Sequence, residues 1–235
     1  MSYPTITLEE HYLSTAIEES RGKSEGLYKG FPQQIHDRLK DLSPDGVRLK
    51  EMDSANVSVQ VISHAPGAAS SGPSVVKAAN DELFQAVKNG PQGRLAGFAA
   101  LPMSHPKEAA AELERCVKDV GFLGALIDNH LDTGKGSNLY YDEERFWPVF
   151  AKAEELDVPV YIHPTFATDD MMELLYKGNY PQKTAVQVSP ATRYPQNLFT
   201  YNQPALHRRL GLARRHRPPR PSPLRRRPLR HPPPS

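Results

Sequence analysis

The 235-residue chain has one cysteine, one tryptophan, no apolar run near the ~20 residues of a membrane span, and no acidic residue after Glu173. Each absence excludes something. Cys116 has no partner for an internal disulfide, and the N-terminus lacks the charged-then-apolar run of a signal peptide, so the expected setting is reducing and cytoplasmic. The last 62 positions offer no carboxylate for metal ligation or proton transfer. Aromatic residues stop at Tyr201, which leaves nothing beyond it to stack on bases.

The formal net charge of +2 is an average of two unlike pieces. Residues 207–235 hold ten Arg, eight Pro and three His with no acid, leaving 19 basic against 27 acidic residues in 1–206. Such a tract cannot pack a core, and residues 206–235 are expected to be a disordered basic tail behind a domain spanning 1–205. Its arginines would attract phosphate, but without specificity for a nucleic acid. The tail also reads like wrong-frame or intron translation of GC-rich DNA, which sequencing the transcript tests.

Within the domain, short apolar runs alternate with amphipathic ones. Thr5–Leu8, Val57–Ser63, Leu95–Leu101, Leu123–Ile127 and Val158–Ile162 read as strands, several of them apolar at successive positions as in a sheet covered on both faces. Helices are expected at Val47–Ala55 behind a Ser43-Pro44-Asp45 cap, at Ser74–Asn89, at Ser104–Val120 and at Tyr141–Leu156, with Pro148 tolerated in a first turn. Five βα units imply an α/β fold of the (β/α)8 TIM-barrel type, incomplete in this chain.

In that architecture reactive groups belong at the C-terminal ends of strands. Alternation places Glu9 and His11 on one side of the first strand's end and Glu10 on the other. His163 ends the fifth strand, just before Pro164. One carboxylate and two imidazoles suit Zn²⁺, or Mn²⁺ with further oxygen ligands. The plainer readings are a solvated Glu-Glu-His run and a turn histidine. Cys116 reads as core, Gly134-Lys135-Gly136 as a loop, and Asp53, Asn80 and Asp81 as scaffold.

The segments ITLEEHY (6–12), RLKEMDSANVSVQVIS (48–63), AANDELFQAV (78–87), GRLAGFAALPMSHPKEAAAELERCVKDVGFLGALIDNH (93–130), YYDEERFWPVFAKAEELDVPVYIHP (140–164) and GNYP (178–181) occur in an order that resembles one family. It is the decarboxylase branch of the amidohydrolase superfamily, with the γ-resorcylate, 2,3-dihydroxybenzoate and aminocarboxymuconate semialdehyde decarboxylases. The resemblance implies a metal-dependent carboxy-lyase acting on an aromatic or related unsaturated carboxylic acid, in a soluble protein that can form a homo-oligomer. It implies that Glu9 and His163 ligate the metal, with His11 a third ligand, and that Arg48 helps bind the substrate carboxylate, a role suited to a guanidinium fork. Read from its surroundings in sequence, Arg48 is equally a helix-surface cation. The family's late Asp, which binds metal and handles the proton, has no counterpart after Glu173. An impaired enzyme is therefore expected, with a hydrolase of the same superfamily or an inactive truncated homologue as the other readings.

Overall fold

The computed structural model describes residues 4–21, 33–133 and 138–165, together with Met171. The expected tail and the 134–136 loop lie outside the described residues.

Strand β1 spans Thr5–Tyr12 and leads through helix α1 (Thr15–Arg21) to α2 (Gln33–Lys40) and α3 (Val47–Ser54). Strand β2 (Val57–His64), helix α4 (Pro73–Asn89) and strand β3 (Leu95–Gly97) follow. Helix α5 covers Pro106–Arg115 and continues as one π turn, Cys116–Val120, before β4 (Ala125–Asp128). A small antiparallel pair, β5 (Leu131–Asp132) with β6 (Asn138–Leu139), precedes α6 (Trp147–Glu155) and β7 (Val160–His163).

Three strand pairings among the described residues are parallel and in chain order: β1 with β2, β2 with β3, and β4 with β7. A parallel bridge between Ala99 and Ala125 joins the two halves, supported by Leu123 N–H to Gly97 O at 2.9 Å. Helices cover one face of this sheet and the other face lines a lumen, as in part of a (β/α) barrel. Among the described residues, no helix is long and apolar enough to cross a membrane.

Two apolar layers follow from strand alternation. Met52, Ile62, Leu83, Leu113, Ile127 and Val149 pack between sheet and helices. Val61, Phe98, Leu123 and Leu126, with Ile6, Leu8 and Tyr161 against them, fill the lumen side. Gly124 is required where these layers meet β7. Its φ is +157°, and a Cβ there would lie 2.2 Å from the Pro159 carbonyl oxygen. Asn56 and Asp157, at φ 55° and 53°, take the left-handed conformation just past α3 and α6, which short polar side chains tolerate.

Several boundaries differ from the sequence reading. Helix α3 is not capped by Ser43 or Asp45. Gly46 is its N-cap, and the Asp41 carboxylate accepts the Val47 N–H at 2.7 Å. Helix α5 starts at Pro106, with no side-chain cap from the Ser104 turn. The Tyr141–Leu156 segment resolves into a 3₁₀ turn, Glu144–Phe146, and α6, whose first turn holds Pro148. Helices α1 and α2 were not anticipated. The Glu82 carboxylate, from α4, accepts the Thr15 and Ala16 N–H groups and so caps α1 from a distance.

Candidate metal centre

Strand β1 reaches four residues past the apolar run that marked it. In its pairing with β2, Thr7 faces Gln60 and Glu10 faces Ile62, so Leu8 and Glu9 together stand opposite Val61. This bulge shifts the side-chain parity by one residue. Before it, Ile6 and Leu8 point into the apolar lumen. After it, Glu9 and His11 point to the same side, at the strand's C-terminal end.

His163, the last residue of β7, meets them there. Its Nε2 is 3.0 Å from Glu9 Oε1 and 3.3 Å from His11 Nε2, and one ligand atom from each of the three residues lies within 4.8 Å of the others. Ligands about 2.1 Å from one ion stand roughly 3.0–3.4 Å apart in octahedral or tetrahedral arrangement, so both Nε2 separations have the right scale.

The carbonyl beside His163 fixes its donor atom. His163 Nδ1 donates to the Pro164 carbonyl, which leaves the Nε2 lone pair facing the centre when the ring is neutral. His11 Nδ1 is 3.3 Å from Ser63 Oγ, and its Nε2 also faces the centre. Burial, then the neighbouring His163, pushes the His11 pKa down to about 4, so this imidazole is neutral at pH 7. Two nitrogen lone pairs and a carboxylate oxygen turned toward one point repel one another unless a cation or proton lies among them. The donor set therefore fits a divalent ion.

Glu9 is held from its other oxygen. The Tyr161 phenol donates to Oε2, while the Glu9 side chain is 55% exposed and open to the mouth. Burial and this carboxylate raise the Tyr161 pKa, so the phenol remains a donor. Asp128, at the end of β4 and directly across from His163, is buried. Burial raises its pKa, against the hydrogen bonds it accepts from Gly67 and Ala69 N–H. With its oxygens so engaged it anchors the β2–α4 loop to the strand ends.

Glu9, His11 and His163 are thus brought together, and Arg48 is not. Its guanidinium lies on the Glu10 side of β1. There it donates to the His11 carbonyl at 2.7 Å, to Gln60 Oε1 at 3.2 Å and to the Asp41 carbonyl at 3.3 Å, with Glu10 at 3.9 Å. Ser63, Tyr161 and Asp128 escaped the sequence reading. Tyr161 was findable two residues before His163, on the same strand face, and Asp128 as the acid closing an apolar run.

Residues 32–212 match the Amidohydrolase family model. Decarboxylase orsB of Emericella nidulans is 44% identical over 195 residues, 80% of this chain and 55% of that protein. The gamma-resorcylate decarboxylase of Rhodococcus jostii is 38% identical over 170 residues, 68% of this chain and 50% of that protein. Among solved structures, a dihydroxybenzoic acid decarboxylase from a Polaromonas species, with bound manganese and the inhibitor 2-nitroresorcinol, superposes with a TM-score of 0.63. It is 32% identical, over 76% of this chain and 54% of that one. The chain spans about half the length of these curated relatives. With the parallel strand order and the lumen-facing carboxylate and imidazoles, these matches establish that the chain belongs to the amidohydrolase family.

Proposed function

We propose that this chain carries the metal-binding part of a non-oxidative decarboxylase for an aromatic acid with a hydroxyl beside its carboxylate. The observation that carries this reading is the convergence of Glu9, His11 and His163 at the C-terminal ends of β1 and β7. The names of the relatives favour a decarboxylase over a hydrolase. The catalytic domain is proposed to occupy residues 1–205, with 206–235 a basic tail, although the family match runs on to 212.

A divalent ion held by these three residues would supply Lewis-acid polarisation of the substrate oxygens. Imidazole ligands suit Zn²⁺, while the Polaromonas structure holds manganese. The chain's own groups do the rest. Ser63 and the Pro164 carbonyl orient the two rings, and Tyr161 orients Glu9. Phe98 and Leu126 give the lumen an apolar floor that suits an aromatic ring and keeps water from beneath it. In the reaction the ring carbon gains a proton, its bond to the carboxylate breaks with the electron pair remaining on the ring, and CO₂ leaves.

The test is metal analysis of the purified chain together with CO₂ release from 2,6-dihydroxybenzoate. One equivalent of Mn²⁺ or Zn²⁺, lost in Glu9→Gln and His163→Ala, is the expected result. A chain that binds neither ion, or binds it equally well in both variants, would overturn the proposal.

A further inference from the structure

Tyr12 accepts the Ala65 N–H at 2.9 Å, so its carbonyl points toward β2. Carbonyls alternate along a strand, and that of His11 therefore points away from β2. The donor it meets is Arg48 Nη2, at 2.7 Å. The same guanidinium is clamped by Gln60, the Asp41 carbonyl and Glu10, each from a different element, and its side chain is 10% exposed. A charge-assisted bond to a strand carbonyl, from a fork fixed on its other sides, leaves little freedom to the residue carrying that carbonyl.

We propose that Arg48 is a positioning residue for the metal centre, acting through the main chain of His11. The inference rests on the reading of Glu9, His11 and His163 as metal ligands. Beyond the bulge at Leu8-Glu9 the strand pairs with β2 again, His11 facing Ser63, but among the described residues β1 is an edge of its sheet. The outward carbonyl of His11 therefore finds no partner in the β1–β2 ladder, and the ring's aim depends on that backbone. Arg48 meets that group from the Glu10 side of the strand and leaves the lumen side free for the ligands. On this geometry it acts on the centre through the His11 main chain, a role separate from the carboxylate clamp that the family resemblance implies.

The experiment is Mn²⁺ titration of the metal-stripped full chain by calorimetry, for the wild type, Arg48→Lys and Arg48→Gln, with circular dichroism recording the fold of each before metal is added. Arg48→Lys and Arg48→Gln are expected to fold and to bind Mn²⁺ roughly 10–100-fold more weakly, the usual effect of losing an outer-shell partner. Lysine should be the milder change, since one ammonium replaces one limb of the fork. Gln60→Leu, which removes a clamp without touching the His11 carbonyl, should weaken binding less than either. Unchanged Mn²⁺ affinity in both Arg48 variants would overturn the inference, and a raised KM alone would then assign Arg48 to the substrate. Loss of the fold in both variants before metal is added would overturn it too, making Arg48 a general scaffold residue. A wild-type chain that takes up no Mn²⁺ would sink the metal reading itself, and this inference with it.

Discussion

Replacing Asn80 with leucine tests how the strand ends are held to the helices beneath them. The Asn80 side chain is fully buried and makes three hydrogen bonds. Its Oδ1 accepts the Ala100 N–H at 2.9 Å, while Nδ2 donates to the Ala100 carbonyl at 3.0 Å and to Glu112 Oε1 at 2.7 Å. Ala100 is itself buried, so leucine orphans two backbone groups at about 1–3 kcal/mol each. Glu112 loses one donor and keeps the Arg115 fork, at 2.8 and 2.7 Å. The added apolar burial returns about 1 kcal/mol, leaving a net loss of about 3 kcal/mol. In urea unfolding followed by circular dichroism, with an m-value of about 2 kcal/mol/M, the midpoint should fall by about 1.5 M. Asp81→Asn, at the half-exposed neighbouring position, should move it far less, because surface ion pairs contribute about 0–1 kcal/mol. Asn80→Asp places a second carboxylate against Glu112, so its deficit should shrink as the pH falls and the pair takes up a proton. A midpoint for Asn80→Leu within 0.3 M of wild type would refute the reasoning.

His64 donates from Nδ1 to the Ala65 carbonyl at 2.7 Å and accepts the Ser14 N–H on Nε2 at 3.1 Å, so only the neutral ring fits. Burial pushes its pKa from 6.5 down to about 4, and the unfolded chain therefore binds the extra proton first. Its contribution is complete above pH 6.5 and fades toward pH 4, on the order of 3 kcal/mol in all. His64→Phe should flatten that limb of the stability curve, and an unaltered slope would count against it. Gly124→Ala should lower the thermal midpoint sharply or prevent folding, given the 2.2 Å approach to the Pro159 oxygen. A midpoint within 2 °C of wild type would contradict that geometry. Mn²⁺ at 100 times its Kd should stabilise the wild type by about 2.7 kcal/mol and Glu9→Gln far less, as read by thermal melts with and without chelator.

Strand positions were legible because each core strand is a run of aliphatic residues, and every expected run overlaps an observed strand or its extension. What escaped the sequence was decided by distant groups. Leu95–Leu101 reads as one strand, yet its ladder ends at Gly97. Past that point one bridge joins Ala99 to Ala125, and the Asn80 amide then binds both backbone groups of Ala100. Helix α1 owes only part of its start to a distant group: Ser14 Oγ accepts the Ile17 N–H at 3.2 Å, a local cap, and Glu82 from α4 adds a second one. The cap of α3 is Asp41, six residues before Val47 and outside the usual local window. Arg48 read equally as a surface cation or a substrate clamp, since nothing in the sequence tells which side of β1 it will occupy.

The bulge in β1 was legible in principle. Ile6 and Leu8 repeat at a spacing of two, as do Glu9 and His11, but the pairs are out of phase by one residue. An uninterrupted strand would send one pair into the lumen and the other toward the helices, burying Glu9 and His11 against apolar packing or leaving the lumen floor unfilled. Both pairs can serve one lumen only if the parity switches between Leu8 and Glu9, where β1 places two residues opposite Val61. The switch also explains the position of Glu10. Falling between two lumen-facing ligands, it must face the other side, where it meets Arg48. One inserted residue thus lets a single eight-residue strand supply the apolar floor, two candidate ligands and the outer contact that steadies them.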